Sequence, residues 1–178
     1  MRNLKDIIIE RLVLSKNKKT EHTLFPKSKE ELKEMIKTEI EKNGNECSLN
    51  HIDVSKITDM SGVFFKSKFD GDISNWDVSN VTNMYAMFSD SKFTGKNADL
   101  SKWDVSSAIE INFMFSSSLF NGDISNWDVS NVKNMAWMFV RSPFNQDISN
   151  WDVSNVLYMT TMFDDCPLKN HPPKWYRK

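Results

Sequence analysis

From residue 45 onward the apolar positions of the chain recur in register every 24 residues, with one interval of 27. One column reads Ile52, Trp76, Trp103, Trp127, Trp151; two more read Val54, Val78, Val105, Val129, Val153 and Ile57, Val81, Ala108, Val132, Val156. Met60, Met84, Ile111, Met135, Met159 form another, beside Val63, Met87, Met114, Met138, Met162 and Phe64, Phe88, Phe115, Phe139, Phe163. Phe69, Phe93, Phe120, Phe144 and Leu168 mark the passage from one unit to the next. Self-similarity at such a period signals stacked units, none of which can bury its apolar face alone. The units fall at 45–68, 69–92, 93–119, 120–143 and 144–167, and the columns are the expected core. The third unit carries Lys96-Asn97-Ala98 as an insertion, expected to bulge locally without breaking register.

Spacing within a unit predicts its local structure. Val81, Met84, Met87 and Phe88 recur at helical intervals, which predicts a short helix with Ser79 or Asn80 as N-cap. Asp72-Ile73-Ser74, next to a Gly-containing turn, reads as a brief parallel strand. The expected architecture is thus an α/β repeat solenoid of about five right-handed 24-residue rungs, each a short parallel strand plus a short helix.

Both ends depart from the repeat. Leu4, Ile7, Ile8 and Leu12 predict an amphipathic helix over about residues 3–14, followed by a solvated linker from Ser15 to Thr23. Residues 1–27 form the expected N-terminal segment, read either as a flap packed on the rest or as an attachment or oligomerisation element. Residues 28–44 form a helical N-cap: Ser28 and Glu31 have capping-box spacing, Leu32, Met35, Ile36 and Ile40 share one face, and Asn43-Gly44 supplies the stop. The solenoid spans 45–167 and a C-terminal cap 168–178. There Leu168 starts a sixth rung that Pro172-Pro173 interrupts, with Trp175 expected to fold over the last apolar layer.

Charge and chemistry narrow the function. A formal net charge of -1 gives no electrostatic footprint for nucleic acid. No signal peptide, lipid-attachment cysteine or membrane-spanning stretch is evident, so a chain that does not export itself is expected. Cys47 and Cys166 lack metal-ligand spacing and are read as unpaired small apolar side chains. The carboxylate column Asp53, Asp77, Asp104, Asp128, Asp152 invites a catalytic or calcium reading. An Asp-x-Ser spacing, however, equally supplies acceptors for turn N–H groups, and that reading is preferred. A calcium loop beginning at Asp70 would need glycine and glutamate where Asn75 and Val81 stand. His22, His51 and His171 do not repeat, and no nucleophile and base set is visible. A protein without catalytic residues, cofactor or metal is expected.

The phrase Phe120 to Phe139, with its Asp-Ile-Ser-Asn-Trp-Asp-Val-Ser-Asn-Val core, resembles the repeat of BspA-like leucine-rich-repeat surface proteins, also found among mycoplasma lipoproteins. Pro26 to Leu32, Gly44-Asn45 and Ile52 to Ser55 are similar to the usual lead-in of that family, so the resemblance covers roughly residues 24–168. It implies an LRR-like solenoid engaged in adhesion or protein binding at a cell surface, with no catalytic residue to carry over. Related proteins in phages and large viruses imply a virion role as well.

Since the repeating columns are occupied with packing, recognition is expected where the repeat fails. Tyr85, Ile109, Phe113, Trp137, Leu157 and Tyr158 fall at positions read as outward on the predicted helices and would form one apolar patch. The leading expectation is a non-enzymatic interaction module for a protein ligand. The alternative is a structural subunit of a virion or surface assembly, attached through residues 1–27.

Overall fold

The computed structural model describes residues 21–177. The predicted helix at about 3–14 and the first part of the linker lie outside the described residues, as does most of the proposed attachment segment. Helix α1 spans Lys29–Asn43. The Ser28 side chain accepts the Glu31 N–H, while the Glu31 carboxylate accepts from the Lys27 N–H at 2.8 Å, one residue earlier than a strict capping box. Gly44, at φ 86, ends the helix and its N–H donates to the Ile40 carbonyl. Leu32 and Ile36 are buried on the first repeat, with Met35 and Ile40 packed at the edge.

The expected rung of strand plus helix does not form, and with it the LRR-like α/β solenoid is set aside. Among the described residues α1 is the one α-helix, joined by a short 3₁₀ turn at Pro167–Lys169; the remaining pairing consists of isolated parallel bridges, with no sheet. Within the repeats, each stretch predicted as helical is instead a run of tight turns. Val63 N–H donates to the Met60 carbonyl, Phe65 to Gly62 and Ser67 to Phe64, all with i to i+3 spacing. The third residue of the first and last turns has positive φ, at Gly62 and Lys66, which is the type II signature. The alternate N–H groups leave the unit altogether. Met60, Gly62, Phe64 and Lys66 donate to the carbonyls of Asn83, Tyr85, Met87 and Ser89 in the next repeat, at 2.8 to 3.0 Å. Every later junction repeats this ladder of four.

The distance between repeats explains why helices are excluded. Phe64, Phe88, Phe115, Phe139 and Phe163 stack nearly parallel, with neighbouring ring centroids 5.2, 5.5, 5.9 and 6.0 Å apart. A helix is about 10 Å across with its side chains. Layers rising at 5 to 6 Å can place strand-like segments or turns above one another, but not helices.

The core columns lie where the periodicity puts them. The Trp, Val, Met and Phe columns are buried in every repeat, and Phe69, Phe93, Phe120 and Phe144 form a second ring stack. Leu168, which ends that column, is only half-buried. Each indole N–H is satisfied by the preceding repeat: Trp76 Nε1 donates to Leu49, Trp103 to Ile73, Trp127 to Leu100 and Trp151 to Ile124. Trp175 continues the series. It stacks on Trp151 at 6.2 Å and donates to the Ile148 carbonyl, so it fills a sixth position in the Trp column rather than simply folding over the end.

The insertion bulges and the register survives it. The Thr94 N–H and hydroxyl bind the Asp70 carboxylate, Asn97 Nδ2 donates to the Asp70 carbonyl, and Lys96 reaches the same carboxylate at 3.5 Å. The Phe stack crosses this junction unbroken.

Candidate functional site

The aspartate column is turn chemistry. Asp53, Asp77, Asp104, Asp128 and Asp152 each accept the backbone N–H two residues on, from Ser55, Ser79, Ser106, Ser130 and Ser154, at 3.0 to 3.1 Å. A second such column, Asp72, Asp99, Asp123 and Asp147, does the same. The serine hydroxyl first and its N–H second hold Asp53, Asp99, Asp104 and Asp147 below the usual carboxylate range, in the reverse order at Asp123 and Asp152. Asn80, predicted as a cap, donates instead to the Ser55 carbonyl of the previous repeat, as Asn131 and Asn155 do to Ser106 and Ser130. Burial pushes the thiols of Cys47 and Cys166 up; Cys166 takes the buried position that Ser91, Ser118 and Ser142 hold in earlier repeats. Among the described residues no three His, Cys, Asp or Glu side chains come together as a metal site, and no helix is long and apolar enough to cross a membrane.

The residues that break the repeat lie on the turn face. Tyr85, Ile109, Trp137, Leu157 and Tyr158 are exposed and Phe113 is half-buried. Three of the six are in ring contact: Tyr85 meets Phe113 edge-on at 5.9 Å, and Phe113 meets Trp137 at 4.8 Å. Ile109 and Leu157 share a neighbouring column but are separated by Lys133, whose N–H donates to Ile109 and whose carbonyl accepts from Leu157. Tyr158 pairs through its backbone with Asn134 and flanks Leu157 at the last repeat. The patch therefore has a continuous aromatic part and a second apolar part interrupted by a cation.

Their backbone sets Phe113 and Trp137 apart. Both occupy the third turn position, at φ 58 and 56, in a column that begins with Gly62 and continues with Ala86 and Thr161. Left-handed backbone costs an L-residue about 1 to 2 kcal/mol, and bulky or β-branched residues are the rarest there. Glycine would be the stable choice at this place in each repeat. Two large aromatics kept there, with much of Trp137 in solvent, contribute little that stability requires.

Phe65 belongs to the same surface and was not among the predicted residues. It is exposed and lines a cleft of about 290 Å³ together with Lys33 of α1, Ser61, Gly62, Tyr85 and Ala86. The signal was present in the sequence: Phe65 stands alone among Ser89, Ser116, Val140 and Asp164 at its position in the repeat. It was hidden beside Phe64, which does repeat.

A family model described as "Mycoplasma protein of unknown function, DUF285" matches residues 30–140 and again 92–176, two overlapping placements on one repetitive chain. It supports a mycoplasma-type repeat family and not the leucine-rich-repeat identity expected from the phrase. No curated protein and no solved structure matches the chain.

Proposed function

We propose that this chain, which belongs to the DUF285 family of mycoplasma proteins of unknown function, is a non-enzymatic module that binds a protein ligand through its turn face. The observation that carries the reading is the Tyr85, Phe113, Trp137 ladder on the turn face, in which Phe113 and Trp137 stand at positions whose backbone favours glycine. Aromatic anchors clustered on a rigid surface are the usual centre of a protein interface. Here the stacked backbone supplies the rigidity, and Ile109, Leu157, Tyr158 and Phe65 widen the apolar area. The finer kinship with BspA-like surface proteins, read from Phe120 to Phe139, forms part of the same proposal. The test is capture of a ligand from a lysate of the source cells by the intact chain and by Phe113→Ala/Trp137→Ala. Retention of the same ligand by the folded double variant would refute this surface as the binding site.

A further inference from the structure

The chain shows once how a cation sits on its turn face. In the first repeat Lys29 Nζ donates to the Asp59 carboxylate at 2.7 Å and to the Ser61 hydroxyl at 2.8 Å. Asp59 and Ser61 stand in two columns of the turn face. Only at Glu110 and Asn112, two repeats on, do those columns again set a carboxylate two residues before a side-chain oxygen acceptor.

In the third repeat both acceptors are unpaired. Asp59, Asn83 and Asn134 each accept the N–H two residues on, which closes the turn. Glu110 is one methylene longer and does not: its half-buried carboxylate makes no hydrogen bond or ion pair among the described residues, and the Asn112 N–H makes no hydrogen bond there either. Asn112 Oδ1 is buried without a hydrogen-bond partner, so its amide gains a bond by turning toward a donor. Lys133, in the adjoining column one repeat on, forms no ion pair with Glu110.

Aromatic rings flank this pair. Glu110 bridges Asn83 and Asn134 of the neighbouring repeats, and Tyr85 stands two residues beyond Asn83. Phe113, three residues beyond Glu110, is in ring contact with both Tyr85 and Trp137. A carboxylate beside aromatic faces suits a cation on an apolar stem, whose charge meets the carboxylate and whose methylenes lie along the rings.

We infer that Glu110 and Asn112 form a seat for a lysine side chain of the protein ligand, with Tyr85, Phe113 and Trp137 packed along its stem. The inference rests on the turn face being the binding surface and adds the chemistry that the ligand presents there. A neutral apolar segment laid over the same rings would bury the Glu110 carboxylate unpaired, which is strongly unfavourable. The seat therefore also selects against ligands that lack the cation.

The test uses the full chain and a defined probe, Nα-acetyl-lysine N-methylamide, with its norleucine analogue as the uncharged control. Titrated at low salt into isotope-labelled protein, the lysine probe should shift the amide resonances of Glu110, Asn112 and Phe113 and the indole N–H of Trp137, and the control should shift them much less. Absence of shifts in the third repeat, or shifts spread evenly over the exposed aspartate columns, would overturn the inference. Glu110→Gln should erase the response to the probe, and a response unchanged by it would count against the seat. Glu110→Asn restores the residue of the neighbouring repeats. It should raise the urea midpoint by closing the turn on the Asn112 N–H while erasing the response; a lowered midpoint would make Glu110 part of the fold and remove the seat. Lysate capture separates this inference from the reading it rests on. A captured ligand should lose about tenfold or more in affinity with Glu110→Gln. One released by Phe113→Ala/Trp137→Ala but held at parental affinity by Glu110→Gln would keep the turn face and overturn the lysine seat, whereas one held by both variants would overturn the turn face itself.

Discussion

Trp137 packs on Phe113 with ring centroids 4.8 Å apart, and both side chains leave the backbone from left-handed turn positions one repeat apart. Ten residues before Trp137, Trp127 is 4% exposed, against 39% for Trp137. Two tryptophans in one repeat therefore face opposite tests.

Trp137→Gly should change stability by no more than about 1 kcal/mol, because relief of the left-handed backbone offsets the lost ring contact. Trp127→Ala should cost about 3 to 5 kcal/mol, as for a large buried aromatic. Urea midpoints compare the two. A loss above about 2 kcal/mol in Trp137→Gly would move that side chain from the binding face into the core.

Phe113→Ala/Trp137→Ala should keep the cooperative unfolding transition of the parent and lose most of its ligand affinity, since truncating central aromatic anchors commonly costs about 2 kcal/mol or more each. Titration calorimetry with the captured ligand measures the loss. Unfolding of the double variant would contradict the placement of both rings on the turn face outside the core.

Trp127→Phe removes one hydrogen bond and little volume. The Leu100 carbonyl, which accepts from Trp127 Nε1 at 2.9 Å, keeps the Trp103 N–H at 3.1 Å, so the loss is that of one hydrogen bond, about 0.5 to 1.5 kcal/mol. The same exchange at Trp175, half-buried at the end of the column, should cost less. Equal losses at the two positions would show that the indole bond contributes nothing beyond burial.

Gly71→Ala should be destabilising by about 1 to 3 kcal/mol, because the new methyl group would meet the Cys47 carbonyl oxygen and the Phe69 ring. The Cys47 carbonyl already accepts the Asp72 N–H, so it cannot retreat without loosening the first junction. At Gly44 nothing stands in the way and only the backbone resists, at φ 86 and ψ 169, so Gly44→Ala should cost about 1 to 3 kcal/mol from conformation alone. Thermal unfolding measures both; a Gly71→Ala variant as stable as the parent would contradict this account of the junction.

Acid should weaken the stack from its turns. The folded-state pKa values of Asp53, Asp99, Asp104, Asp123, Asp147 and Asp152 are lowered, so their contribution is fully present above the unfolded-state value of about 3.9 and is lost as pH falls through the lower folded values. The urea midpoint should be nearly level from neutral pH to about 5 and fall below about 4. Asp104→Asn should flatten the decline; a midpoint insensitive to acid would remove these turns as a source of stability.

What the sequence by itself determined was everything that depends on which residues repeat. The columns from Trp76 to Trp151 and Phe64 to Phe163 declared the stack and its core, because only a buried position holds the same large side chain at 24-residue intervals. Ser28 and Gly44 bounded α1 because caps are local chemistry. Asp77 and Ser79 could be read as a turn for the same reason. The turn-face residues were legible too, as failures of repetition, although Phe65 escaped notice beside Phe64.

What only the tertiary structure decided was the conformation between those positions. Val81, Met84, Met87 and Phe88 have the same spacing on a helix and on overlapping tight turns, so periodicity cannot separate the two. The choice rests on where the Met84, Ala86 and Phe88 N–H groups go, and their partners, Glu110, Asn112 and Met114, lie in the next repeat. A helix would satisfy those groups within its own unit but would force the layers apart. Stacked phenylalanines 5 to 6 Å apart hold the layers too close for that, and the backbone takes turns whose hydrogen bonds reach across.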